Sequence, residues 1–146
     1  MKIVDQLHNP TGTLHLIAYD SVGVEVWRHT EHNLIVDTGY NVAAEALAGV
    51  PGARIDKVAV GTNGAEPNTS DTQIADPFHT SIQSVEYPTP TTVRFNFTFG
   101  YGDAVGMSIR EFGLLTEDGR LFSRKVRQPI EKTVHMSLVG AWDINF

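Results

Sequence analysis

From Val134 to the last residue the chain alternates. Val134, Met136, Leu138, Gly140, Trp142, Ile144 and Phe146 fall on one side, and His135, Ser137, Val139, Ala141, Asp143 and Asn145 on the other. A period of two is the mark of a strand with one buried face. The pattern predicts a closing strand over 134–146, on the order of 40 Å long at roughly 3.3 Å per residue. Such a strand ties the end of the chain into the core and leaves no C-terminal linker to a further domain. Gly140 stands where a large inward residue is expected, which predicts a bend, a bulge or a close approach by another group.

The same alternation recurs upstream. Leu14, Leu16 and Ala18 oppose His15, Ile17 and Tyr19; Ser21-Val22-Gly23 reads as a turn, and Val24–Thr30 alternates again to complete a β-hairpin. Asn33–Val36 is a short apolar run. A helix follows near 38–48, capped by Asp37 or Thr38, with Val42, Ala43, Ala46 and Leu47 as its stripe and Gly49 and Pro51 as its stop. Arg54–Val60 reads as a strand. Gly61–Pro77 is then polar throughout except for Ile74, which is expected to pin it down; a connection this long in a small domain points to function or assembly. Phe78–Tyr87 and Thr91–Phe99 form a second hairpin, with Val93, Phe95, Phe97 and Phe99 inward. Met107–Leu115 and Arg120–Arg127 flank a turn at Glu117-Asp118-Gly119, and Gln128–Lys132, with Pro129, links to the closing strand. The sum is a mainly β chain: one antiparallel β-sandwich or jelly-roll-like barrel domain over 1–146, with one short helix.

Charge and composition narrow the function classes. There is no cysteine, so thiolate nucleophiles, disulfides and Cys-based metal sites are excluded. A formal net charge of −6 opposes a nucleic-acid backbone footprint. Arg120, Arg124, Lys125 and Arg127 cluster in sequence but alternate in face. The N-terminus carries no signal-type apolar run and no segment approaches a membrane span, so the expectation is a chain made and assembled in a cytoplasm, with no membrane partner. The histidines at 8, 15, 29, 32, 79 and 135 lack zinc spacing. No Gly-x-Ser-x-Gly elbow marks a nucleophile, and Gly61-Thr62-Asn63-Gly64 lacks the Gly-Lys-Ser/Thr ending of a phosphate loop. Asp71 and Asp76 do not have EF-hand spacing. The expectation is a protein with no catalytic, metal or cofactor site. Trp27, Tyr40, Tyr87 and Tyr101 are candidates for a sugar or a protein contact.

Three segments, taken in order, carry a resemblance. They are Asn33–Gly39 leading into the Ala-rich helix; Val58–Gly64 followed by Pro67 and Asp71–Ile74; and Ile109–Leu115 followed by Gly119–Arg124, Lys132-Thr133 and Trp142–Phe146. Together they resemble a family of small bacteriophage and prophage virion proteins grouped with tail, baseplate or fibre components. The resemblance covers 33–146 and leaves the 1–32 hairpin as an assembly-specific element. It implies a non-enzymatic structural subunit in the virion, packed against copies of itself in a trimer or higher ring and against other virion proteins. Its candidate contacts are Asn63, Glu66 and Asp71 in the long loop, Arg120, Arg124 and Arg127 in the last hairpin, and Trp27. Two other readings are a capsid decoration protein and a module binding host-surface glycan through Trp27 and the tyrosines.

Overall fold

The computed structural model describes residues 9–146; His8 and the Met1–Asp5 stretch lie outside them. The described residues form β1 (Thr11–Tyr19), β2 (Glu25–Ile35), α1 (Asp37–Leu47), β3 (Ile55–Gly61), β4 (Phe78–Ser81), β5 (Ser84–Thr89), β6 (Thr92–Phe99), β7 (Ser108–Thr116), β8 (Leu121–Glu131) and β9 (Ser137–Asn145). The strands make one antiparallel sheet in the order β4-β3-β7-β8-β2-β1-β9-β6-β5. The sheet curls on itself as a half-barrel. It divides into two layers, β4-β3-β7-β8 and β1-β9-β6-β5, which pack their inner faces together.

Two strands turn the corners between the layers. β2 pairs with β1 from Glu25 to Asn33, then passes Leu34 and Ile35 to β8. At the other corner β4 pairs with β3 as far as Ser81. The Ile82 N–H then bonds the Asp56 carbonyl, and the Gln83 N–H bonds that of Asn96, so the chain crosses to β6. The predicted single strand 78–87 is therefore two strands, divided where the backbone changes partner.

The core is built by the alternating residues. Leu14, Leu16 and Ala18, then Phe95, Phe97 and Phe99, then Leu138, Trp142 and Ile144 meet Val58, Val60, Ile109, Phe112 and Leu114 of the facing layer. β9 is shorter than the 134–146 pattern: Val134 and Phe146 are exposed and lie outside it. Gly140 sits in unbroken register with Leu16 and Phe97. A Cβ there would fall 2.1 Å from Phe97 Cζ. Of the three options for Gly140, the structure therefore gives close approach.

Three local features depart from the sequence reading. α1 has no side-chain cap; Val36 stands at the cap position, and the Asp37 N–H is taken by the Thr69 carbonyl of the long loop. β8 runs on through Pro129 instead of ending at Arg127. The β7–β8 register shifts between Ile109 and Glu111, and that irregularity accommodates a residue with no N–H to give. The helical stripe is only half used: Val42 is buried, whereas Leu47 is 92% exposed.

Candidate assembly surfaces

The long loop is a built structure. It lies on the outer face of the β3-β7-β8 layer, where Gly61 and Gly113 leave room for it: a Cβ on either would meet Ile74 within 3 Å. Ile74 drops between these glycines and joins Val36, Ala59, Leu115 and Leu121 in a second apolar cluster. Beside it, Arg124 (2% exposed) faces Glu111 (0% exposed). Arg124 donates to Glu111 at 3.0 Å, to Asp71 at 2.9 Å and to the carbonyls of Asn63 and Ala65 at 3.0 and 3.2 Å. The other Glu111 oxygen accepts from the N–H groups of Asn63 and Ala75 at 2.7 and 3.1 Å. Buried charges persist when paired and fully hydrogen-bonded, and this pair meets that condition while holding both ends of the loop.

The outer face of the β2-β1-β9-β6 layer is different: no described element lies over it. Its centre is a polar relay. His15 contacts the Thr30 hydroxyl at 3.0 Å and Asp143 at 3.2 Å, and Arg94 grips Asp143 with two bonds of 2.7 and 2.8 Å. Burial works to raise the Asp143 pKa, but the hydrogen bonds and charges of Arg94 and His15 outweigh it and hold the carboxyl below the usual range. The order Thr–His–Asp matches a nucleophile, base and orienting acid. Here His15 and Thr30 are directly paired across strands, and Asp143 lies one strand further on, held by Arg94. The geometry is that of a cross-strand ladder. Val139 and Ala141 lie half-buried on this open face.

Apolar side chains gather at two places on the surface. Val22, Val24 and Val26 are exposed on the β1–β2 hairpin. At the opposite corner, where the chain passes from β4 beside β3 to β5 beside β6, an open groove of about 1100 Å³ runs between α1 and the inner side of β6 and β9. Val42, Ala43, Phe95 and Ile144 line it, and Leu47, Val50, Val85, Tyr87 and Phe146 rim it.

The residues singled out from sequence divide accordingly. Asn63 and Asp71 belong to the clamp, and Glu66 is exposed beside it with His32 and Lys125. Arg124 is withdrawn into the interior and offers no surface contact. Arg120 ties Asp118 of the β7–β8 turn to Glu45 of α1, and these bonds raise its pKa. Arg127 lies 5.2 Å over the ring of half-buried Trp27 and bonds Glu31 at 3.1 Å. Sequence reasoning missed Glu111 as the counter-charge and the groove rim as a unit. The signals available were the Glu111-Phe112-Gly113 run beside Arg124 and the apolar ends of the helix and of the chain. No family model, curated protein or solved structure matches the chain.

Proposed function

We propose that the chain is a structural subunit of a bacteriophage virion, of the tail, baseplate or fibre apparatus, acting by packing against copies of itself and against neighbouring virion proteins. The observation that carries the packing role is the pair of exposed apolar patches, at Val22-Val24-Val26 and around the groove, on a fold whose longest loop is clamped. Contiguous exposed apolar surface on a folded domain marks an interaction site. The virion context comes from the resemblance of 33–146. A capsid decoration protein uses the same kind of surface. The glycan reading gains less support, because the Trp27 ring that it needs is half-buried and covered by Arg127. The test is to image virions of a phage encoding a labelled copy. The expected result is a fixed number of labels at the tail; labels over the head move the assignment to decoration, and label-free particles remove the reading.

A further inference from the structure

We propose that Asn63-Gly64, in the clamped loop, is a self-modifying site: Asn63 closes onto the Gly64 amide and is converted to aspartate and isoaspartate. Asn63 is the one asparagine of the chain that a glycine follows. Both residues are exposed, so water reaches them.

The folded loop activates both halves of the reaction. The electrophile is Cγ of the Asn63 side chain. Its Oδ1 accepts the Ala65 N–H at 2.9 Å, a turn that folds the side chain forward over the peptide joining Asn63 to Gly64. That N–H lies where negative charge develops on Oδ1 once Cγ is attacked. The nucleophile is the Gly64 nitrogen, whose N–H has no acceptor among the described residues. The carbonyl of the same peptide, that of Asn63, accepts from the Arg124 guanidinium at 3.0 Å. A cation there stabilises the amide anion left when the N–H loses its proton. The Asn63 N–H is fixed on Glu111 at 2.7 Å and the Ala65 carbonyl on Arg124 at 3.2 Å, so the reacting atoms sit between two fastened groups.

Hydroxide takes the Gly64 amide proton and becomes water. The nitrogen bonds to Cγ, the Cγ–Nδ2 bond breaks, and the side-chain nitrogen leaves as ammonia with a proton from water, which restores the hydroxide. Water then opens the cyclic imide at Cγ to give aspartate, or at the backbone carbonyl to give isoaspartate. The isoaspartate product turns the carbonyl that Arg124 holds into a carboxylate and adds one carbon to the chain beside it. Arg124 then faces three anions, Glu111 and Asp71 included. The conversion loosens the clamp and works as a slow covalent timer on the loop.

Asn68 is an internal reference. Its Oδ1 accepts the Ser70 N–H at 2.9 Å in the same kind of turn, but Thr69 follows it and its carbonyl accepts from the uncharged Asp71 N–H. The experiment incubates the full chain at neutral pH and follows each asparagine by peptide mass spectrometry, with an isoaspartyl methyltransferase assay for the isomer. The same chain unfolded in guanidinium chloride is the comparison. The expected result is conversion of Asn63 at least about ten-fold faster in the folded chain, with Asn68 unchanged. Aged protein should also be cut in the loop sooner than fresh protein. In Gly64→Ala the new Cβ would lie 3.4 Å from Arg110 Cδ, an ordinary contact with a flexible side chain. This variant should keep its circular dichroism and convert at least about ten-fold more slowly. The inference is overturned if Asn63 does not convert, if it converts no faster in the folded chain, if Asn68 keeps pace with it, or if Gly64→Ala converts equally fast. Aged protein whose loop resists cutting as fresh protein does overturns the loosening of the clamp.

Discussion

Asp143 shows how one residue's surroundings set a measurable property of the whole protein. Its carboxylate is nearly buried, a state that favours the neutral form, yet Arg94 and His15 hold it charged. A carboxyl whose folded pKa lies below its unfolded value, about 3.9 for aspartate, stabilises the fold above that unfolded value. The contribution disappears as pH falls through the folded pKa. Asp143→Asn removes the charge with little change of shape. At neutral pH it is expected to cost ~1.5–3 kcal/mol, the range for a hydrogen bond to a charged group. Because other carboxylates also titrate, the quantity to read is the difference between wild type and variant in urea midpoint. That difference should shrink steadily below about pH 4; a gap of the same size at pH 3 and pH 7 would refute the argument. Gly140 makes the complementary point about size. The Phe97 ring fills the space that any side chain there would need, so the missing side chain is itself part of the packing.

Among the elements, the loop from Thr62 to Pro77 departs most from its appearance in sequence. It contains no strand or helix, yet it is fastened at Ile74 and around Arg124, and its Thr69 carbonyl supplies the bond that starts α1. Two substitutions separate these fastenings. Ile74→Ala removes the apolar pin and is expected to cost ~2–4 kcal/mol. Arg124→Met leaves Glu111 buried without its counter-charge and is expected to cost ~3–5 kcal/mol. In both variants limited proteolysis should cut the loop well before global unfolding, whereas the wild type resists. Equal digestion rates for all three proteins would mean that the loop is held by something else. The legibility of this region follows the range of the forces involved. Alternation is a local property, and it placed Phe95, Phe97, Phe99, Leu138 and Trp142 inward correctly. Ile74 was readable because one large apolar residue in a polar run has a single physical use. The rest depended on partners far along the chain. The carbonyl of Thr69 replaced the expected side-chain cap, Asp56 and Asn96 drew Ile82 and Gln83 to different layers, and Glu111 drew Arg124 inside. Arg124 on its own reads as surface charge; only its pairing with Glu111, on the neighbouring strand, reveals a clamp.

For the molecule as a whole, the question is whether the first hairpin is an addition to a domain that begins near Asn33, where the virion-protein resemblance starts, or a part of that domain. β1 lies between β2 and β9 in the interior of the sheet order, paired with β9 from Thr11 to Tyr19 and with β2 from Gly12 to Tyr19. Leu14, Leu16 and Ala18 are buried in the main core, against the same layer that Trp142 and Phe97 face. Asn33 joins the two regions: its Oδ1 accepts from Trp142 Nε1 at 3.2 Å, and its side chain lies so close to Gly12 that a Cβ there would be 1.9 Å away. The turn beyond Tyr19, with Val22 and Val24, and much of β2 are exposed beside this packing. A chain beginning at Asn33 would expose an unpaired β9 edge and open the inner layer. Each lost leucine removes about 1.5–3 kcal/mol of burial, against a total stability of about 5–15 kcal/mol. Such a chain is expected to lose cooperative unfolding and near-ultraviolet dichroism altogether. Replacing Val22 and Val24 with serine in the full chain, by contrast, should leave the melting temperature within about 4 °C, the shift that corresponds to two surface substitutions of about 0.5 kcal/mol each. A truncated chain that still unfolds cooperatively would make the hairpin a detachable adaptor. Loss of structure on truncation, with tolerance at the tip, would make β1 an integral part of the core and leave the exposed Val22, Val24 and Val26 as positions that the fold does not constrain.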